Sequence, residues 1–194
     1  MTWLMLLSLL AAACSTNTPV PASKPESSEP VLSGASADPQ RVEFQAEDGR
    51  KLVGYYYPSK YEDASVLILM HWAQGDLCDW ADVALWLQNR AGENPAKLER
   101  CANPGAVSWR NPSWFPAMAP DASLAVFIFD FRGYGESEAG GSGPDFVKDA
   151  RAAFKTAATL KGVDPAHIAA VGASIGADGA ADGSVVAVAG KIEH

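Results

Sequence analysis

Histidine is scarce in this chain of 194 residues: His71, His167 and His194 are the whole supply. Any chemistry that relies on an imidazole base must use one of these three. Cysteine is as sparse. Cys14, Cys78 and Cys101 make no Cys-x-x-Cys pair and no metal-type cluster, and nothing in the sequence indicates a metal or an organic cofactor. Positive charge is short too, with 15 Lys and Arg against 23 Asp and Glu and a net charge of -8. That balance leaves no basic footprint for nucleic acid or anionic lipid, and it serves solubility. What remains is ordinary globular composition, 48% apolar and 20% charged, enough for one domain with a real core and not for two full ones.

The N-terminus stands apart from that composition. Residues 4–13 are apolar except for Ser8, a run too short to span a bilayer but suited to the hydrophobic region of a secretory signal. Ala11-Ala12-Ala13-Cys14 follows and resembles the lipobox of bacterial lipoproteins, which implies that Cys14 becomes the diacylated first residue of the mature protein. Two features depart from that pattern: no Lys or Arg precedes the run, and Ala11 stands where leucine is usual. Ordinary signal-peptidase cleavage after Ala-x-Ala and a plain cytoplasmic start both stay open. Residues 14–39 are rich in Ser, Pro, Thr and Glu, cannot bury enough surface to offset chain entropy, and are expected to form a disordered tether. Two acyl chains would anchor it to a membrane. Ser15 resembles the sorting pattern that leaves such lipoproteins on the outer membrane facing the periplasm. The expected organisation is a signal peptide over 1–13, a lipidated tether over 14–39 and a folded part over 40–194.

In the folded part, residues 41–46 and 51–57 are strand-type runs separated by Glu47-Asp48-Gly49-Arg50, a hairpin signal. Residues 65–70 are continuously apolar, as in a strand buried on both faces. Trp80, Val83, Ala84 and Leu87 have helical spacing and predict an amphipathic helix over 79–89. After an irregular stretch rich in Pro, Asn and Trp, residues 124–129 form a second buried strand. Phe146, Ala150, Phe154 and Ala157 mark the buried stripe of a helix that Gly162 terminates. Asp164-Pro165 reads as a turn, residues 168–172 as a third short strand, and residues 184–190 as one further strand. Strands alternating with helices predict an α/β fold, a mostly parallel sheet with helices on both faces.

The chemistry-bearing motif is Gly172-Ala173-Ser174-Ile175-Gly176, set between a buried strand and a helix start. Such a strand–turn–helix forces the serine out at the carboxyl end of the strand, and only small residues fit two positions to either side. Two further segments accompany it in order: His71-Trp72-Ala73-Gln74-Gly75 at one strand end, and Asp130-Phe131-Arg132-Gly133-Tyr134-Gly135-Glu136-Ser137 at the next. Together they resemble the α/β-hydrolase superfamily over residues 41–183, most closely its dienelactone-hydrolase-like and acyl-peptidase-like esterases. The resemblance implies that Ser174 is the nucleophile and that the backbone N–H of Ile175 is one oxyanion donor. The second donor falls on Ala73 or Trp72, although Trp72 replaces the family's usual glycine. His71 is read as structural, Asp130 and Arg132 as ties between the strand end and the elbow, and Asp178 as a helix N-terminal acid.

The family order continues from serine to an acidic residue and then a histidine. Asp178 and Asp182 lie on the helix after the nucleophile, His194 comes too early, and His167 precedes the elbow, so no triad acid or base is recognisable. The hydrolase domain is therefore expected to be incomplete on its C-terminal side, a fragment of a longer parent chain. The implied activity is cleavage of a small-molecule ester or amide through an acyl-enzyme on Ser174. The alternative is an inactive, hydrolase-like lipoprotein that acts as a binding or structural module. Cys78 and Cys101 are either a disulfide or two buried thiols. Trp109, Trp114 and Phe115 either line a substrate pocket or pack an ordinary loop. Gly190-Lys191 lacks the rest of a phosphate loop.

Overall fold

Asp48 and Gly49 turn the chain on itself, with Gly49 at φ 81° and the Ala46 N–H donating to the Arg50 carbonyl across the turn. This joins strand β1 (Gln40–Gln45) to strand β2 (Lys51–Tyr57) as an antiparallel hairpin. The computed structural model describes residues 29–102, 112–140 and 145–192. Its remaining elements are β3 (Ala64–Met70), α1 (Ala81–Gln88), β4 (Ala125–Asp130), α2 (Phe146–Ala157), β5 (Val163–Gly172) and α3 (Ile175–Ile192).

The five strands form one sheet in the order β1-β2-β4-β3-β5. β3 pairs in parallel with both β4 and β5, whereas β2 runs antiparallel to β1 and β4, so β2 alone opposes the common direction. All six residues of β4 are buried, as the unbroken apolar run requires. Val126 and Ile128 face Leu77, Ala81, Ala84 and Leu87 on the α1 side. Phe127 and Phe129 face Ala150, Ala153 and Phe154 of α2 on the other. This is the expected α/β architecture with helices on both faces. Among the described residues β5 closes the order with a neighbour on one side only, and Val171 near its end is 45% exposed.

Three local expectations are corrected. Residues 184–190 do not form a strand; they continue α3. A short apolar run carries no periodicity that separates strand from buried helix, whereas Gly179 and Gly183 share one helical face. A Cβ on Gly183 would sit 2.5 Å from the Phe154 ring, so α3 depends on that glycine to lie against α2. Asp164-Pro165 does not separate two elements but bulges within β5, where Ala64 pairs with Val163 and Val66 already with Ile168. The third correction concerns residues 31–38, expected in the disordered tether, which lie on the domain. Buried Gln88 and Arg90 donate to the carbonyls of Ala37 and Ala35 at 2.8 Å each, and Ala37 is itself buried. Backbone carbonyls captured by polar side chains leave no trace in hydropathy. Residues 1–28, with Cys14 and the signal, lie outside the described residues.

Candidate active site

The elbow is built by two glycines. A Cβ on Gly172 would lie 2.0 Å from the Gly176 carbonyl oxygen, and one on Gly176 would lie 2.4 Å from the Met70 carbonyl. Between them Ser174 takes φ 53°. The other described non-glycine residues with positive φ are Asp63, Asn89 and Asn94, types that tolerate the left-handed region. A serine there is strained by about 1–3 kcal/mol, and such strain concentrates at functional sites. Ser174 is exposed at the carboxyl ends of β3 and β5. Its carbonyl accepts from Ala177 N–H at 2.8 Å, which starts α3. The Ile175 N–H belongs to the first turn, whose donors have no partner within the helix.

The loop after β3 faces the elbow. His71 is fully buried; its Nε2 accepts from the Phe131 N–H at 3.1 Å, so Nδ1 carries the proton and donates to the Trp72 carbonyl at 2.7 Å. Burial holds its pKa below the ordinary histidine value. Both ring nitrogens are thus committed, and the expected structural role is what the geometry shows. The Trp72 carbonyl also accepts from Gly75 N–H, closing a tight turn. Because a trans peptide carries N–H opposite C=O, the Ala73 N–H points away from His71. Tyr134 holds the next carbonyl, donating to Ala73 O at 2.7 Å.

A recess of about 260 Å³ adjoins the nucleophile, lined by Trp72, Asp79, Trp80, Ala173 and Ser174. It brings together the Trp72 and Ser174 that the motifs singled out. Helical spacing alone marks Trp80 and Asp79 only as the start of an amphipathic helix. Residues 77–79 instead make a one-turn 3₁₀ segment capped by Asp76, which swings both side chains toward the elbow. No periodicity could have shown that. A larger recess of about 550 Å³ lies along the β1–β2 hairpin, away from the elbow, where Arg41 and Glu136 pair across it at 3.0 Å.

Other assignments change. Trp114 is 61% exposed and the Phe115 ring packs at a tilt against Trp86 with centroids 5.2 Å apart, so this pair packs a loop and does not line the recess; Trp109 lies outside the described residues. Asp130 and Arg132 are architectural, but neither ties to the elbow. Asp130 accepts from Leu77 N–H at 2.9 Å and from Arg100 at 2.7 Å, fixing the loop after β3. Arg132 grips Asp149 of α2 at 2.6 Å and Asp48 of the hairpin turn at 2.8 Å. Cys78 and Cys101 are bonded across 23 residues. Asp182 pairs with Arg151 of α2 at 2.8 Å. His167 contacts Asp164 in the β5 bulge, at the opposite end of the strand from Ser174, and His194 lies outside the described residues. Among the described residues, therefore, no histidine stands beside the serine. Nor do the described residues contain a His, Cys, Asp and Glu cluster able to hold a metal ion.

No family model matches the chain. It is similar to the uncharacterized protein Rv2307c of Mycobacterium tuberculosis, 29% identical over 153 residues that cover 78% of this chain and 43% of that protein. Among solved structures it is similar to an α/β hydrolase of Vibrio vulnificus, with TM-score 0.54 and 23% identity over 79% of this chain and 41% of that one. A second is an Agrobacterium tumefaciens protein of unknown function placed among the α/β hydrolases, with TM-score 0.52 and 20% identity over 76% and 55%. These likenesses establish the fold, and the chain spans less than half the length of the curated relative.

Proposed function

We propose, from the α/β-hydrolase fold and the elbow at its edge, that this chain carries the nucleophile of a serine hydrolase that cleaves a small-molecule ester or amide through an acyl-enzyme on Ser174. The observation that carries the reading is Ser174 held at φ 53° between two glycines that no larger residue could replace. In this reading the Ile175 and Ala73 N–H groups stabilise the oxyanion, the latter aimed by the pinned Trp72 carbonyl. The acid and base come from residues other than those described, in keeping with the 43% of Rv2307c that the chain spans. Residues 1–13 export the protein and Cys14 anchors it by lipid in the cell envelope, on the outer membrane facing the periplasm. The support is the apolar run and the small residues before Cys14.

A second reading has one observation in its favour. With no described histidine beside Ser174, the scaffold would serve as a binding or structural lipoprotein without turnover. Fluorophosphonate labelling of the protein expressed from its own locus separates the two, with Ser174→Ala as control. Modification that disappears in the variant supports the hydrolase. An unmodified, folded wild-type protein supports the module. Cys14→Ala tests the anchor, which predicts that the protein moves from the membrane to the soluble fraction.

A further inference from the structure

Val31 and Leu32, neighbours in sequence, are two of the most exposed large apolar residues described, at 68% and 73%. Their backbone is nevertheless fixed. The Glu62 N–H donates to the Val31 carbonyl at 2.9 Å, the Ser33 N–H donates to the Lys60 carbonyl at 2.7 Å, and Leu32 bridges Tyr61 in antiparallel register. Farther along, the grip of Arg90 and Gln88 on Ala35 and Ala37 seats the same segment on the domain. Single exposed apolar residues are ordinary, whereas two adjacent ones on pinned backbone form a small fixed patch. Beside it stands Tyr61, with the Lys60 ammonium over its ring 5.1 Å from the centroid. Tyrosine and lysine, each an apolar body with a polar tip, suit the boundary between water and lipid. Glu29, Glu62 and Asp63 outnumber Lys60 and Lys161 around the patch, so charge there gives no attraction to anionic lipid. Its place in the fold is definite. Tyr61 lies just ahead of β3, and at the far end of that strand the Met70 carbonyl accepts from the Ala173 N–H, next to Ser174. Seven strand residues rise roughly 20 Å, so patch and serine occupy opposite ends of the sheet. The patch is also where the described chain joins the domain, seventeen residues after Cys14.

From these observations we propose that the Val31–Leu32 corner, flanked by Lys60 and Tyr61, is a membrane-contact surface that rests on zwitterionic lipid and turns the Ser174 end of the sheet toward the aqueous side. The proposal rests on the reading of Cys14 as the lipid anchor. Two apolar side chains are too few to hold a free protein on a bilayer. Joined to an inserted anchor, they meet the surface intramolecularly, at high effective concentration. A chain anchored ahead of this corner draws this corner to the membrane before any other part of the domain. Insertion of Val31 and Leu32 removes apolar area from water and leaves the polar tips of Tyr61 and Lys60 at headgroup level. Substrate then reaches Ser174 from solution rather than sideways out of the bilayer.

The test is nitroxide labelling of the full lipidated chain in phosphatidylcholine vesicles, with the Cys78–Cys101 bond intact. One label is placed through Leu32→Cys and one, for comparison, through Gln74→Cys in the exposed loop after β3. Collisions with dissolved oxygen, which concentrates in the bilayer, are compared with those of a nickel chelate, which stays in water. The oxygen-to-nickel ratio at Leu32 is expected to exceed that at Gln74 several-fold. Adding Val31→Asp to the Leu32-labelled protein is expected to bring the ratio down to the Gln74 value, because a carboxylate is expelled from the apolar boundary. Equal ratios at the two positions in vesicle-bound protein overturn the contact and leave the anchor standing. Spin–spin broadening at Leu32 assigns the patch to a second copy of the chain and overturns the proposal as well. A protein that stays in the soluble fraction defeats the anchor itself, and the contact falls with it.

Discussion

The phenol of Tyr134 donates to the carbonyl of Ala73 and its ring packs edge-on against His71, with centroids 4.9 Å apart. Two successive carbonyls of the loop after β3 are therefore pinned, Trp72 by His71 and Ala73 by Tyr134. Each pinned carbonyl sets the direction of the N–H across its peptide, which is what an oxyanion donor requires. Tyr134→Phe keeps the ring contact and removes the clamp. The expected outcome is a Ser174 labelling rate lower by about tenfold with the fold retained, measured as the second-order rate constant alongside the thermal midpoint. An unchanged rate would mean that the loop holds its shape without Tyr134.

Ser174 carries its strain at the cost of stability. Glycine accepts φ 53° freely and alanine does not. Ser174→Gly is expected to exceed Ser174→Ala in unfolding free energy by about 1 kcal/mol, with neither variant labelled. Denaturant titration of the pair decides this, and equal midpoints would show that the elbow relaxes in the free protein.

The Cys78–Cys101 bond closes a loop of 23 residues. Its loss, by Cys101→Ser or by reduction, should lower stability by about 3 kcal/mol. A second effect should follow, because Arg100 sits beside Cys101 and bridges Asp76 and Asp130, which cap and hold the 77–79 turn. Labelling of Ser174 should therefore slow under reduction at temperatures where the chain is still folded. Comparing labelling with far-ultraviolet circular dichroism, with and without reductant, separates the local loss from global unfolding.

His71 makes the fold acid-sensitive. Its pKa in the fold lies below the ordinary 6.5 because the ring is buried. Between that lowered value and 6.5 the unfolded chain binds a proton that the folded chain refuses, so stability falls as pH drops through this window and levels off below it. Protonation of Nε2 would also expel the Phe131 N–H it accepts. Urea midpoints should decrease from pH 7.5 to pH 5.5, and His71→Gln should flatten that slope. A slope unaltered by the substitution would mean that His71 does not set it.

The parts of the fold that could be read in advance are those where one residue type serves one physical need. β4 announces its burial by an unbroken apolar run, α2 by its apolar stripe, and the elbow by glycines that backbone crowding makes obligatory. The parts that could not be read depend on partners distant in sequence. Arg90 and Gln88 organise residues 35–37 through backbone carbonyls, and Asp130 holds a turn 53 residues earlier. Trp80 fits helical spacing and yet reaches the recess, because Asp76 sets a 3₁₀ turn ahead of α1. In residues 184–190 the deciding information is the contact of Gly183 with Phe154, and local sequence does not contain it.

β5 is one of the two edge strands of the described sheet and the one that ends in the elbow. An unpaired edge recruits backbone, whether from another molecule or from elsewhere in the same protein. A strand added there would run about 4.8 Å from β5, and if parallel its carboxyl end would open beside Ser174. The edge of the described sheet and the surroundings of Ser174 are then one surface, and any strand paired along β5 would set what neighbours the serine.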